Sequence, residues 1–210
     1  MLKSLTSLSL AALVGLTAAA ASATDFEILG APSSAASTAT YTSDADLETI
    51  SGTSTTINGT ISTDLKDPSK TSGSFSIPVT TLVSGVAMRD EHMAGERWLN
   101  AAQFPNITFA IKSLKLKGDN KVLTNGSSVQ GDATGEFTLH GVTKTITIPV
   151  RATYRELPKG QVDYLEGNLL RIESNFSIKL SDYGVNIPAP LTAKVANELT
   201  LTVKATAKQK

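Results

Sequence analysis

The sequence contains no cysteine, few aromatic residues and no excess of charge of either sign. Without cysteine it can form no disulfide framework and no cysteine-ligated metal site, and it has no thiol nucleophile. Its 19 basic and 19 acidic residues argue against a nucleic-acid partner, because such proteins carry a basic excess. The two histidines, His92 and His140, are too few for a three-histidine metal site.

Long hydrophobic runs are also scarce, and the one candidate lies at the start of the chain. Lys3, an apolar run over residues 8–21 and the sequence Ala21-Ser22-Ala23 match a secretory signal peptide with its cleavage site. The run is short and alanine-rich for a transmembrane helix. We predict a signal peptide over residues 1–23 and one mature domain over residues 24–210 without a transmembrane segment. We expect this domain to be periplasmic, or secreted in another type of envelope.

The mature chain contains several segments in which apolar and polar residues alternate. This period of two is typical of antiparallel strands with one solvated face. Turn sequences separate the segments, at Asn125-Gly126, His140-Gly141 and Asp67-Pro68-Ser69. Long amphipathic strands favour a closed barrel, which has no free edges, and about eight strands leave room for packed side chains or one small ligand. We therefore predict an all-β protein with an antiparallel β-barrel.

One segment, residues 89–104, does not alternate and resembles a short helical insertion. Asp90 is a candidate N-cap, Gly95 is expected to divide the insertion, and Pro105 to end it. His92 and Glu96 would share a helix face, but two ligands do not complete a metal site. Ser84, His92 and Asp90 could form a triad only on paper, because no nucleophile elbow is present. We predict neither a metal nor a cofactor.

Three ordered blocks of residues resemble the YceI-like, lipocalin-like family of periplasmic polyisoprenoid-binding proteins. The first block runs from Ser84 through Arg89-Asp90-Glu-His92 to Phe104-Pro105 and Phe109. The second runs from Gly131 through Phe137-Thr-Leu139-His140-Gly141 to Val142-Thr143-Lys144, and the third runs from Phe176 through Ser181-Asp182-Tyr183 to Gly184-Val185. Trp98-Leu99-Asn100 replaces an aromatic triplet of the family, and residues 24–55 match it poorly.

The resemblance implies a lipocalin-like barrel with no enzymatic activity whose lumen holds a long-chain lipid, such as a polyisoprenoid, an isoprenoid quinone, or a fatty acid or amide. Arg89, Asp90 and His92 are candidates for the rim or for headgroup contacts. A membrane b-type cytochrome is a possible partner by family association. The predicted lumen residues are Phe75, Ile77, Trp98, Phe104, Phe109, Phe137, Phe176, Ile178, Leu199 and Leu201.

Two other functions stay open at this point. The chain could be a lipid-modifying enzyme that uses Arg89, Asp90 and His92. It could also be a structural or redox-partner protein whose barrel is filled by its own side chains.

Overall fold

The computed structural model describes residues 23–30, 37–160 and 165–210. The predicted signal peptide lies outside the described residues apart from Ala23, and the boundary of the mature domain stays a prediction. Among the residues described, no helix has the length and apolar character needed to cross a membrane.

The described residues form ten strands that pair antiparallel in one sheet. The strands are β1 (Thr24–Ile28), β2 (Thr38–Asp44), β3 (Thr49–Ser54), β4 (Asn58–Asp64), β5 (Asp67–Pro78), β6 (Asn106–Lys117), β7 (Ser128–Leu139), β8 (Val142–Leu157), β9 (Gly167–Lys179) and β10 (Glu198–Gln209). Helix α1 covers Ala87–Ala94, and short 3-10 turns cover Val79–Thr81, Leu180–Tyr183 and Ala189–Leu191.

The sheet closes on itself as an eight-stranded barrel. β1 pairs with β4, and β2 pairs with β3. β1 and β2 therefore form one side of a long hairpin, and β3 and β4 form the other side. Each side counts as one strand of the barrel, so the ten segments make eight barrel strands. β10 pairs with β9 along one edge. Along its other edge it pairs with β2 through residues 199–204 and with β1 through residues 207–209. This confirms the predicted antiparallel barrel of about eight strands with a short helical insertion.

Alternation along each strand decides which side chains enter the barrel. In β7, Val129, Ala133 and Phe137 are buried, whereas Gln130 and Glu136 are exposed. A period-two strand places such residues on opposite faces of the sheet. The amphipathic pattern of the sequence therefore becomes an apolar interior and a polar outer surface.

The reversal predicted at Asp67-Pro68-Ser69 is wrong by two residues. The chain turns at Leu65 and Lys66, and Asp64 pairs with Asp67 across the turn. Pro68 is buried as the second residue of β5. Proline is tolerated at the start of a strand, where few ladder hydrogen bonds need its missing N–H group.

The barrel interior divides into two apolar clusters along the barrel axis. We call the half that contains Phe26, Tyr154 and Leu170 the closed end. We call the half that lies near helix α1 the open end; it contains Phe137, Ile178 and Tyr183. The rings of Phe26 and Tyr154 meet edge to face at 6.4 Å, so the closed end is filled by large side chains.

Helix α1 begins and ends differently from the prediction. Its N-cap is Val86, whereas Asp90 lies inside the helix, and Gly95 forms its C-cap. The residues after Gly95 form turns instead of a second helix. The N-cap prediction for Asp90 is therefore wrong, while Gly95 does end the helix.

Candidate functional site

A cavity of about 420 Å³ occupies the open end of the barrel. This volume lies in the usual range of small-molecule pockets. Ala39, Ile77 and Val203 lie in its wall and also belong to, or pack against, the closed-end cluster. The cavity floor is therefore the packed closed end, and its mouth lies at the loops around helix α1. The apolar part of the wall includes Leu82, Leu99, Ile107, Phe137, Leu139, Phe176, Ile178, Leu180, Val185, Leu199 and Leu201.

The apolar surface of the cavity continues onto the outside of the protein at the mouth. The structure shows five large apolar side chains as exposed among the described residues, and four of them, Leu47, Val83, Val86 and Met88, lie around the mouth. Val86 and Met88 also line the cavity. Leu47 is 75% exposed and Met88 68% exposed. Clustered exposed apolar groups of this kind mark binding surfaces more often than chance.

The structure places seven of the predicted lumen residues in the cavity wall. They are Ile77, Trp98, Phe137, Phe176, Ile178, Leu199 and Leu201. Whether they contact a ligand stays a prediction.

Three predicted lumen residues lie away from the cavity wall. Phe75 packs against the closed-end cluster, and Phe109 packs against the open-end cluster. Phe104 meets the ring of His140 edge to face at 5.1 Å. Phe104 also covers Gly141, since a Cβ atom there would overlap its ring. Phe104 lies in the loop after α1. The period-two alternation that assigns strand residues to the lumen does not apply to a loop residue.

The predicted rim residues have different surroundings. Arg89 and His92 lie in the cavity wall, but Asp90 does not. The Asp90 carboxylate accepts hydrogen bonds from the backbone N–H of Ser84 at 2.8 Å and from its hydroxyl at 2.6 Å. Asp90 therefore anchors the start of helix α1 to the preceding segment.

An ion pair connects helix α1 with the turn between β2 and β3. Arg89 Nη2 lies 2.7 Å from Glu48 Oε1, and both side chains are about one-third exposed (33% and 35%). Both residues line the cavity. The ion pair holds α1 beside the mouth.

Tyr41 adds a phenol hydroxyl to the polar part of the wall. Its ring covers Gly52 of the neighbouring strand, where a Cβ atom would lie 2.7 Å from the hydroxyl oxygen. Burial raises the pKa of Tyr41, the negative charge of Asp90 adds to the rise, and Arg89 opposes it. The hydroxyl is therefore protonated at neutral pH and can donate a hydrogen bond.

The second and third sequence blocks join the loops of the open end to each other. The Nδ1 atom of His140 lies 3.1 Å from the carbonyl oxygen of Tyr183. Lys144 Nζ lies 3.3 Å from Asp182 Oδ1 and 5.7 Å from the centre of the Tyr183 ring. Tyr183 is 2% exposed, and burial raises its pKa, with Asp182 adding to the rise. These contacts are structural, because none of His140, Lys144 and Tyr183 lies in the cavity wall.

Several wall residues were missed by sequence reasoning. Glu48 lies beside the β2–β3 turn, and Lys194 lies in the loop between the 3-10 turn Ala189–Leu191 and β10. Loop residues follow no period, so the alternation that identified the strand residues gives no signal for them.

The predicted common face of His92 and Glu96 does not form, because α1 ends at Ala94. Within residues 23–30, 37–160 and 165–210, no three His, Cys, Asp or Glu side chains come together as a metal site would require.

Comparison with known proteins gives one family and several relatives. The profile of the YceI-like domain matches residues 31–207. Protein YceI of Salmonella arizonae is 31% identical over 134 residues, which cover 64% of this chain and 62% of that protein. The alignment thus spans less than two thirds of the relative's length.

Two solved structures share the fold. Burkholderia cenocepacia BcnA has a TM-score of 0.66 at 21% identity, covering 82% of this chain and 96% of BcnA. A polyisoprenoid-binding domain from Saccharophagus degradans, described as implicated in plant cell wall breakdown, has a TM-score of 0.63 at 14% identity. That alignment covers 88% of this chain and 98% of the domain.

Proposed function

The chain belongs to the YceI-like family, and from this premise we propose that it binds a long-chain amphiphilic lipid in the open end of its barrel without altering it chemically. The lipid classes that we consider are polyisoprenoids, isoprenoid quinones, and fatty acids or amides. We further propose that the protein acts in the periplasm as a carrier or reservoir of this lipid.

The observation that supports this proposal is the distribution of polarity in the cavity. The deep wall consists of aliphatic and aromatic side chains from β7, β9 and β10, whereas Glu48, Arg89, His92 and Lys194 come from loops and helix α1 near the mouth. An amphiphile has the same distribution, with an apolar chain and one polar end. Burial of the chain would stabilise the complex by about 0.8 kcal/mol per CH₂ group.

The enzymatic alternative has less geometric support. Its three candidate residues do not converge on the cavity, since Asp90 is bonded to Ser84 instead of facing the wall. A general base needs a partner within hydrogen-bond reach that orients it. In the described part of the chain, no hydrogen bond joins the His92 ring to a carboxylate. The alternative of a barrel filled by its own side chains disagrees with the cavity.

The test is mass spectrometry of organic extracts from purified protein, together with a variant that fills the cavity. Leu201→Trp places a large ring in the wall, while Thr200→Trp places the same ring on the outer face of the same strand. We expect a stoichiometric lipid with the wild-type protein and Thr200→Trp, and a loss of most of that lipid with Leu201→Trp. An empty extract, with no uptake of added lipid by the folded wild-type protein, would contradict the proposal.

The membrane b-type cytochrome stays a prediction. It would fit a quinone ligand, because such a cytochrome exchanges electrons with quinones in the membrane. Co-purification of the exported protein with a membrane fraction that shows a b-type haem spectrum would support it.

A further inference from the structure

We propose that the bound lipid has an anionic headgroup, a carboxylate or a phosphate, and that Lys194 is the residue that selects it. This inference rests on the proposed function, because it assigns the chemistry of the headgroup at the same cavity. It follows from the balance of charges around the mouth.

The acidic residue in the cavity wall is already neutralised. The charged wall residues are Glu48, Arg89 and Lys194, with His92 as a fourth titratable group. Glu48 and Arg89 form the 2.7 Å ion pair described above, so their charges largely cancel. Within the described residues, Lys194 has no carboxylate within ion-pair distance. The wall therefore presents one uncompensated positive charge to the polar end of a ligand.

Lys194 is held at the mouth by backbone hydrogen bonds on both sides. The N–H groups of Lys194 and Val195 both donate to the carbonyl of Leu191, at 2.9 and 2.8 Å. The N–H group of Leu47 donates to the carbonyl of Ala193 at 2.9 Å. These bonds join the loop of Lys194 to the turn that carries Glu48. Leu191 and Val195 on either side of Lys194 are wall residues, and Lys194 itself is an exposed wall residue, so it lies where the apolar wall meets solvent.

The other charged residues near the mouth lie outside the cavity wall. The Asp90 carboxylate keeps its negative charge, which acts on the Tyr41 hydroxyl, but it is bonded to the N–H and hydroxyl groups of Ser84 and forms no ion pair with Lys194. The remaining charged residues nearby are exposed, namely Asp44, Asp46, Glu91, Glu96 and Arg97. The Tyr41 hydroxyl, which is protonated, and the His92 ring, which carries at least one N–H in either tautomer, are possible additional hydrogen-bond donors to an anion.

Lysine acts as a point charge with three donors, which suits a carboxylate or a phosphate equally. A neutral headgroup would gain little from that charge. An apolar tail in the cavity with its anion beside Lys194 would use both parts of the site.

The experiment compares two ligands that differ only in the headgroup. Palmitate and palmitamide share one chain, but only palmitate is ionised well above the carboxyl pKa of roughly 4 to 5. Dissociation constants are measured for both at pH 8, at concentrations below micelle formation. The wild-type protein should prefer palmitate.

Substitution of Lys194 should remove or reverse this preference. We expect Lys194→Gln to weaken palmitate binding by about 2- to 5-fold, the range of an exposed ion pair, and to leave palmitamide binding unchanged. Lys194→Glu should make palmitamide the better ligand. Lys66→Glu, which changes an exposed lysine in the β4–β5 turn at the closed end by the same charge, should behave as wild type.

The results distinguish the role of Lys194 from lipid binding itself, on which that role depends. If the folded wild-type protein binds none of palmitate, palmitamide and dodecyl phosphate, and its organic extract also contains no lipid, the lipid-binding function is wrong. If both palmitate and palmitamide bind, and Lys194→Glu changes neither constant while the protein melts normally, lipid binding stands and the role of Lys194 is overturned. Stronger binding of dodecyl phosphate than of dodecanoate, a carboxylate with the same number of carbons, lost in Lys194→Glu, would identify the anion as a phosphate.

Discussion

At the scale of single residues, Phe137 and Phe176 show how position in the barrel separates folding from binding. Their rings meet edge to face at 6.1 Å, and both line the cavity. Phe137 is 5% exposed and also packs on Tyr183 at 5.5 Å. Phe176 is only partly buried. Phe137 therefore contributes more to the packed core, and Phe176 more to the cavity surface.

We predict that Phe137→Ala costs about 3–5 kcal/mol of unfolding free energy, the usual range for a buried phenylalanine. Phe176→Ala should cost less than Phe137→Ala, because part of its ring already faces the cavity, but it should weaken lipid binding. Urea denaturation and ligand titration of the two variants check this contrast. Equal losses of stability in both variants would show that Phe176 is packed as tightly as Phe137.

Gly141 is a second residue whose role follows from geometry. Its φ angle is +73°, and a Cβ atom would overlap the ring of Phe104. Gly118 has a similar φ of +70°, but no atom lies within 4 Å of its virtual Cβ. Substitution of Gly118 therefore tests backbone strain alone, whereas substitution of Gly141 tests the same strain together with steric overlap.

We predict that Gly118→Ala costs about 1–2 kcal/mol, the strain of a left-handed alanine. Gly141→Ala should cost about 2–5 kcal/mol, because crowding of the Phe104 ring adds to the same strain. Thermal or urea unfolding measures both. If the two substitutions cost the same, the contact between Phe104 and Gly141 has no energetic weight.

At the scale of elements, helix α1 depends on polar contacts. None of its residues is fully buried, and Met93 is its apolar contact with the open-end cluster, so polar contacts add to what holds its position. Asp90 bonds it to Ser84, and Arg89 bonds it to the β2–β3 turn through Glu48. The Arg89–Glu48 pair is partly exposed and is expected to contribute at most about 1 kcal/mol after solvent screening.

We predict that Asp90→Ala destabilises the protein by about 1–2 kcal/mol, because it removes two hydrogen bonds and leaves the Ser84 N–H without its partner. Ser84→Ala removes only the hydroxyl bond and should cost less than Asp90→Ala. Asp90→Asn keeps an acceptor oxygen and should be intermediate. The measurement is the urea midpoint of each variant; a wild-type midpoint for Asp90→Ala would show that the segment is held by other contacts.

The sequence predicts the strands of this fold better than it predicts the contacts of helix α1. The strands were predictable because their alternation repeats over many residues, as in β9 and β10. The role of Asp90 was not, because an acidic residue in a short helical segment fits an N-cap equally well. Its actual partner, Ser84, lies six residues earlier, and only the fold shows that the chain bends back to bring them together.

At the scale of the whole molecule, the barrel is packed at one end and hollow at the other. Alternation identified the interior side chains, but it did not distinguish those that touch each other from those that face the cavity. Phe75 and Phe176 occupy equivalent inward positions in their strands, yet Phe75 packs against the closed-end cluster and Phe176 lines the cavity. That difference depends on the depth of each residue along the barrel axis, which a single strand does not encode. Lys194 was missed for the related reason that it lies in a loop.

The division between a packed and a hollow half has a consequence for motion within single strands. β9 and β10 run through both halves and pair with each other over eleven residues. Local opening is less costly where fewer apolar contacts hold the backbone. Amide hydrogens near Leu170 and Ala207 should therefore exchange with deuterium more slowly than those near Ile178 and Leu199. A lipid in the cavity should slow the fast half selectively and make exchange nearly uniform along both strands.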